Sequence, residues 1–136
     1  MSLDVYLMVN PTELAVAADY LQDGGFDRAA EYLRLISRSE SITLYDANIT
    51  HNLGKMADAA GLYEALWRPD ENGLTTAAQL IEPLRNGLNT LRKFPEQFSP
   101  LNPSNGWGNY DGLVEFVTKY LEACEKYPFA AVEVSR

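Results

Sequence analysis

Cysteine is almost missing from this chain. Cys124 stands alone, so no internal disulfide can form. Histidine is as scarce: with His51 the only one, the usual Cys/His zinc cages are excluded and no metal or other cofactor is expected. Positive charge is in short supply. Eleven Lys and Arg face 19 Asp and Glu, a net charge of −8 with His neutral, so no phosphate-neutralising surface and no nucleic-acid partner are expected. No apolar run approaches the roughly 18 residues that a membrane span needs. No basic stretch leading into an apolar one opens the chain, so a cytoplasmic setting is expected. Gly-x-Ser-x-Gly, Gly-x-x-x-x-Gly-Lys, Gly-x-Gly-x-x-Gly and His-Glu-x-x-His are all missing, and no carboxylates fall at calcium-loop spacing.

What is present describes a fold. The 136 residues suit one globular domain, long enough to bury a core without staples. Leu3, Val5 and Leu7 alternate with Asp4, Tyr6 and Met8, which predicts a strand to Val9. Asn10-Pro11-Thr12-Glu13 reads as a capped helix start, and Leu14, Ala17, Ala18 and Leu21 form its apolar stripe. Gly24-Gly25 ends that helix. Asp27 opens a second, with Ala30, Leu33 and Ile36 or Ser37 on one face. Ser41 to Ile49 predicts another strand, and a helix is expected from His51 to Trp67 despite Gly54 and Gly61.

A further helix opens at Thr75 or Thr76. Its inward set is Ala77, Leu80, Ile81, Leu84, Leu88 and Leu91, and Pro83 predicts a kink or break near Ile81. Lys93 to Tyr110 has no period and reads as a long loop. Leu113, Phe116, Val117, Tyr120, Leu121 and Cys124 then follow strict helical spacing, Pro128 stops them, and Ala130 to Arg136 alternates as a last strand. The order β-αα-β-α-α-α-β predicts a helix-dominated α+β fold with about five helices on a small three-stranded sheet. The two helices of residues 10–40 enter as an insertion between the first two strands.

Two polar clusters carry the candidate chemistry. Asn48, Thr50, His51 and Asn52 fall where a strand gives way to a helix, a place where polar side chains can hold a ligand. His51 is the one side chain whose ordinary titration lies near neutrality. The plainer reading makes Asn48 or Thr50 a helix cap and has Asn52 satisfy the turn. The second cluster is Asn105-Gly106-Trp107-Gly108-Asn109-Tyr110. Trp107 and Tyr110 can stack on a base or a sugar; since Trp is usually buried, the expected arrangement has Trp107 plugging the core beneath the loop. Trp67-Arg68 could form a cation–π or anion-binding element, but the expected arrangement is a helix end with Trp67 inward and Arg68 near the last carbonyls; Arg136 either pairs with a carboxylate or is solvated. A Cys124–His51 pair is disfavoured, because Cys124 lies on an apolar stripe.

Four separated blocks occur in one order: Asn48-Ile49-Thr50-His51-Asn52-Leu53-Gly54-Lys55-Met56, Tyr63-Glu64-Ala65-Leu66-Trp67-Arg68-Pro69, Asn105-Gly106-Trp107-Gly108 with Tyr110, and Val134-Ser135-Arg136. Together they resemble a family of small proteins encoded by bacteriophages and prophages. The resemblance covers residues 42 to 136; the segment from Asn10 to Glu40 falls outside it. It brings no catalytic residues with it and implies a cytosolic setting in a bacterium or infected host. Two function classes follow. One is an interaction protein without catalysis, whose acidic surface meets a host or phage protein. The other is a nucleotide- or sugar-binding protein or enzyme built from Asn48, Thr50, His51, Asn52, Trp107 and Tyr110. Homodimerisation through a sheet edge or an apolar helix face is compatible with either.

Overall fold

A computed structural model describes residues 1–9, 11–37 and 42–136. The expected cap Asn10 and strand start Ser41 lie outside the described residues, as do the side chains of Leu14, Leu33, Ile36 and Ser37. β1 (Ser2–Val9) is the middle strand of a three-stranded antiparallel sheet, flanked by β2 (Ile42–Thr50) and β3 (Ala131–Ser135). Its alternation sends Leu3, Val5, Leu7 and Val9 into the interior. Each such side chain is worth about 2 kcal/mol of apolar burial. Pairing Leu3 with Ile49, Val5 with Ala47 and Val134, and Leu7 with Tyr45 and Val132 puts those partners on the same face. A bulge at Leu7/Met8 shifts the phase of β2, so Leu44 packs against the core as well as Tyr45.

The register also carries the start of β1 to the end of β2. Ser2 lies opposite Thr50, Asp4 lies opposite Asn48, and the His51 N–H donates to the Met1 carbonyl at 3.4 Å. The polar turn after β2 therefore sits at one end of the sheet.

The apolar face is covered by helices. α5 (Ala77–Lys93) and α7 (Tyr110–Lys126) pack against each other, and all six stripe residues of α7 are buried as their spacing predicts. α5 begins at Thr76, whose N–H donates to Gln79 Oε1 at 3.1 Å in a capping box. It runs on through Pro83 without the expected break. Leu80 and Leu84, one on each side, are fully buried and hold both halves in the same core.

The expected helix from His51 to Trp67 is in fact three pieces. A 3₁₀ turn (His51–Leu53) leads into α3 (Gly54–Ala59), and α4 (Tyr63–Trp67) follows. Gly61, at φ 75°, makes the break, since that conformation is open to glycine and ends a right-handed helix. The expected loop from Lys93 to Tyr110 is shorter than its sequence suggests. α6 (Pro95–Phe98) and a 3₁₀ turn (Ser99–Leu101) occupy its first half, started by prolines and anchored by buried Phe98.

Between β1 and β2, α1 (Pro11–Asp23) and α2 (Asp27–Ser37) form a helical hairpin. Its turn closes with Phe26 N–H donating to the Leu21 carbonyl at 2.8 Å and Gly25 at φ 85°. Ala18 and Ala30 are fully buried, and among the described residues they stand apart from the contiguous apolar cluster that joins sheet and remaining helices.

Candidate functional site

Thr50 ends β2 with extended backbone and caps the 3₁₀ turn: its Oγ1 accepts the Asn52 N–H at 3.3 Å. Leu53, buried one residue later, pins the turn to the core. His51 is left half-buried at the surface. Its Nδ1 accepts the indole N–H of Trp67 at 2.8 Å, and because an indole can only donate, the ring hydrogen of neutral His51 is on Nε2. Trp67 itself is 3% exposed and stacks on Tyr63, ring centroids 5.4 Å apart and planes 8° from parallel.

The loop bearing Trp107 reaches the same turn. Asn105 Oδ1 accepts the Trp107 N–H at 2.9 Å, and Asn52 Nδ2 donates to the Trp107 carbonyl at 3.4 Å. Gly108 (φ 95°) lies so close that a Cβ there would fall 2.7 Å from Thr50 Cγ2 and 2.9 Å from Leu53 Cγ. The backbone on both sides of the indole is thus fixed. The indole is 72% exposed, which overturns the expectation that Trp107 plugs the core. Beneath this loop the buried side chain against Gly108 is Leu53 instead.

Five of the six candidate residues, Asn48, Thr50, His51, Asn52 and Trp107, meet around a depression of about 710 Å³, joined by Met1 and Ser2. Tyr110 does not join them. Its hydroxyl donates to the Leu91 carbonyl at 2.6 Å and its N–H donates to Asn102 Oδ1 at 2.8 Å, so it ties the start of α7 to the end of α5. Asn48 is partly committed too, with Nδ2 donating to Asp4 Oδ1 at 2.6 Å. Cys124 is buried on α7, and burial pushes its thiol up to about 12.

Beside a hollow of about 410 Å³ lined by His51, Gly54, Lys55, Asp58 and Tyr63, two more share His51. One, of about 490 Å³, runs over Asn52, Lys55 and the turn from Leu101 to Asn105. The other, of about 450 Å³, is lined by His51, Gly54, Tyr63, Trp67, Arg68 and Arg136. In it Arg136 donates from Nη1 to the Trp67 carbonyl at 3.1 Å and grips Asp70 with both Nη atoms, at 2.9 and 3.2 Å. These hydrogen bonds hold the Asp70 carboxyl below its ordinary range and raise the guanidinium. The sequence offers Trp67-Arg68 as a cation–π or anion-binding element and Arg136 as a partner for a carboxylate, which is Asp70, but it does not bring Tyr63, Arg68 and Arg136 together around His51. What would have joined them is that all four motif blocks border His51.

Among the described residues no helix is long and apolar enough to cross a membrane, and no three His, Cys, Asp or Glu side chains group as a metal ion requires. Comparison with protein-family models, curated proteins and solved structures finds no match to this chain.

Proposed function

We propose that this protein is a binding protein for a small polar ligand with a flat face, held in the depression between the Asn48–Asn52 turn and Trp107. The observation that carries this reading is the indole of Trp107, 72% exposed on a backbone fixed from both sides. A large apolar side chain left in water over immobile backbone gains nothing for folding, but it offers a stacking face whose ordering cost is largely met in advance. Beside it lie hydroxyl, amide and imidazole groups, and the volume is in the range of small-molecule sites. Nucleosides and sugars combine such a face with such hydrogen bonds. The cytosolic, phage-related setting belongs to the same proposal.

Titration with nucleosides, nucleoside monophosphates and mono- and disaccharides tests it, read by tryptophan fluorescence and thermal shift. One class is expected to quench the wild-type signal and raise its Tm, and Trp107→Ala is expected to abolish both while melting as wild type without ligand. No response to any class, or an unchanged response in Trp107→Ala, refutes the reading.

A protein partner is the second reading. It is favoured by Val16, Tyr20 and Phe26, 64%, 80% and 63% exposed on the α1–α2 hairpin, far more apolar surface than a short hairpin needs to leave open.

A further inference from the structure

We infer that the hollow between His51, Tyr63, Arg68 and Arg136 is an oxyanion subsite, taking the phosphate group of a ligand whose flat part meets Trp107. The subsite stands on its own geometry; only the flat part of the ligand rests on the reading above.

The hollow is rich in unspent hydrogen-bond donors. His51 has spent Nδ1 on accepting from Trp67, so Nε2–H is a donor, and no described residue accepts from it. The Tyr63 ring is held by its stack on Trp67, and its hydroxyl has no hydrogen-bond partner among the described residues. Arg68 faces Glu71 through Nε alone, at 3.5 Å, which leaves its Nη hydrogens unspent. Arg136 has used both Nη1 hydrogens and one on Nη2; Nε and the second Nη2 hydrogen remain.

Four side chains therefore bring unspent donors to one hollow of about 450 Å³, and no Asp or Glu side chain is among the residues lining it. The chain as a whole is −8, so two of its eleven cations facing one hollow with an imidazole and a phenol run against the general charge. Asp70 lies outside the lining and braces Arg136, while Glu71, also outside it, draws on Arg68 through Nε alone. The bidentate Asp70 pair and the Trp67 carbonyl fix the Arg136 fork before any ligand arrives, so little side-chain freedom is lost on binding. Phosphate oxygens accept only, and a phosphate monoester offers three of them to such a set of donors. His51 also borders the depression under Trp107, so one imidazole is the wall shared by a cationic hollow and a stacking face. A nucleotide or phosphosugar has that division into an anionic and a flat part.

The test uses inorganic phosphate, titrated against chloride at equal ionic strength and followed by NMR at the indole N–H of Trp67. Wild type is expected to show saturable shifts with phosphate alone. Arg68→Gln, which breaks only a surface ion pair, is expected to weaken binding roughly tenfold, and Tyr63→Phe, which keeps the stack, roughly threefold. Glu71→Gln removes a competing carboxylate and is expected to tighten it roughly twofold. Trp107→Ala is expected to bind inorganic phosphate as wild type, while a nucleoside monophosphate binds wild type roughly tenfold tighter than its nucleoside. Phosphate acting no differently from chloride overturns the subsite, as does wild-type affinity in both Arg68→Gln and Tyr63→Phe. Acetate binding as well as phosphate overturns the assignment to phosphate. Phosphate binding with no response to any nucleotide or phosphosugar refutes the flat-faced ligand and leaves the subsite standing.

Discussion

At the scale of single residues, the core contains one group that folding has not satisfied. Tyr120 is fully buried on α7, and its hydroxyl has no hydrogen-bond partner among the described residues. Burial raises its pKa, so the hydroxyl stays neutral throughout the ordinary pH range. The ring is well placed, edge-on to Phe116 at 6.0 Å and tilted against Tyr45 at 5.8 Å. A desolvated, unpaired hydroxyl costs more than the atom returns in packing. Tyr120→Phe keeps every ring contact and deletes only the oxygen. It is therefore expected to be stabilising, by about 1 kcal/mol, in urea denaturation. A loss of stability of similar size would mean that the hydroxyl is engaged after all. Trp67 shows the opposite case: its one polar atom is spent on His51, and the same bond sets which His51 nitrogen faces outward.

Elements meet here through glycines as much as through apolar stripes. Gly87 lies midway along α5, where the segment joining α3 to α4 crosses it. A Cβ there would come within 2.3 Å of Leu62 Cγ and 2.2 Å of its Cδ2. Leu62 is itself fully buried, so any rotation has to be taken up within the core. Gly87→Ala improves helix propensity by about 1 kcal/mol but overpacks this crossing. The clash dominates, and a net destabilisation of about 2 kcal/mol is expected, measured as a lower urea midpoint with an unchanged slope. The same crossing shows which elements the sequence reveals. α7 was legible because Leu113 to Cys124 keeps one period and nothing interrupts it. The run from His51 to Trp67 keeps nearly the same period, but Gly61 takes a positive φ that periodicity cannot register. The polar turn at Asn48–Asn52 was legible from composition and local order. The exposure of Trp107 was not, because it depends on Gly108 seating against Thr50 and Leu53, a contact between segments more than fifty residues apart.

For the molecule as a whole, the question is which parts the site needs. The antiparallel register sets Val9 opposite Ile42, so β1 and β2 are neighbours where the chain leaves for α1 and where it returns from α2. Neighbouring antiparallel strands need only a two-residue turn, yet here a helical hairpin intervenes. Among the described residues its two fully buried alanines lie outside the main apolar cluster, and an ion pair, Arg34 to Asp19 at 2.5 Å, joins α2 to α1. The depressions around His51 draw nothing from it, being lined by residues of 1–2, 48–55, 58–68, 101–107 and 136. Replacing residues 10–41 with Asn-Gly is therefore expected to leave a chain that unfolds in one cooperative urea transition, with the slope reduced in line with its smaller buried area. Its phosphate response, read at Trp67, is expected to equal that of the full chain. Loss of cooperative unfolding would show that the hairpin is part of the fold rather than an insertion. Retained folding with a lost response would place part of the site beyond the residues that border His51.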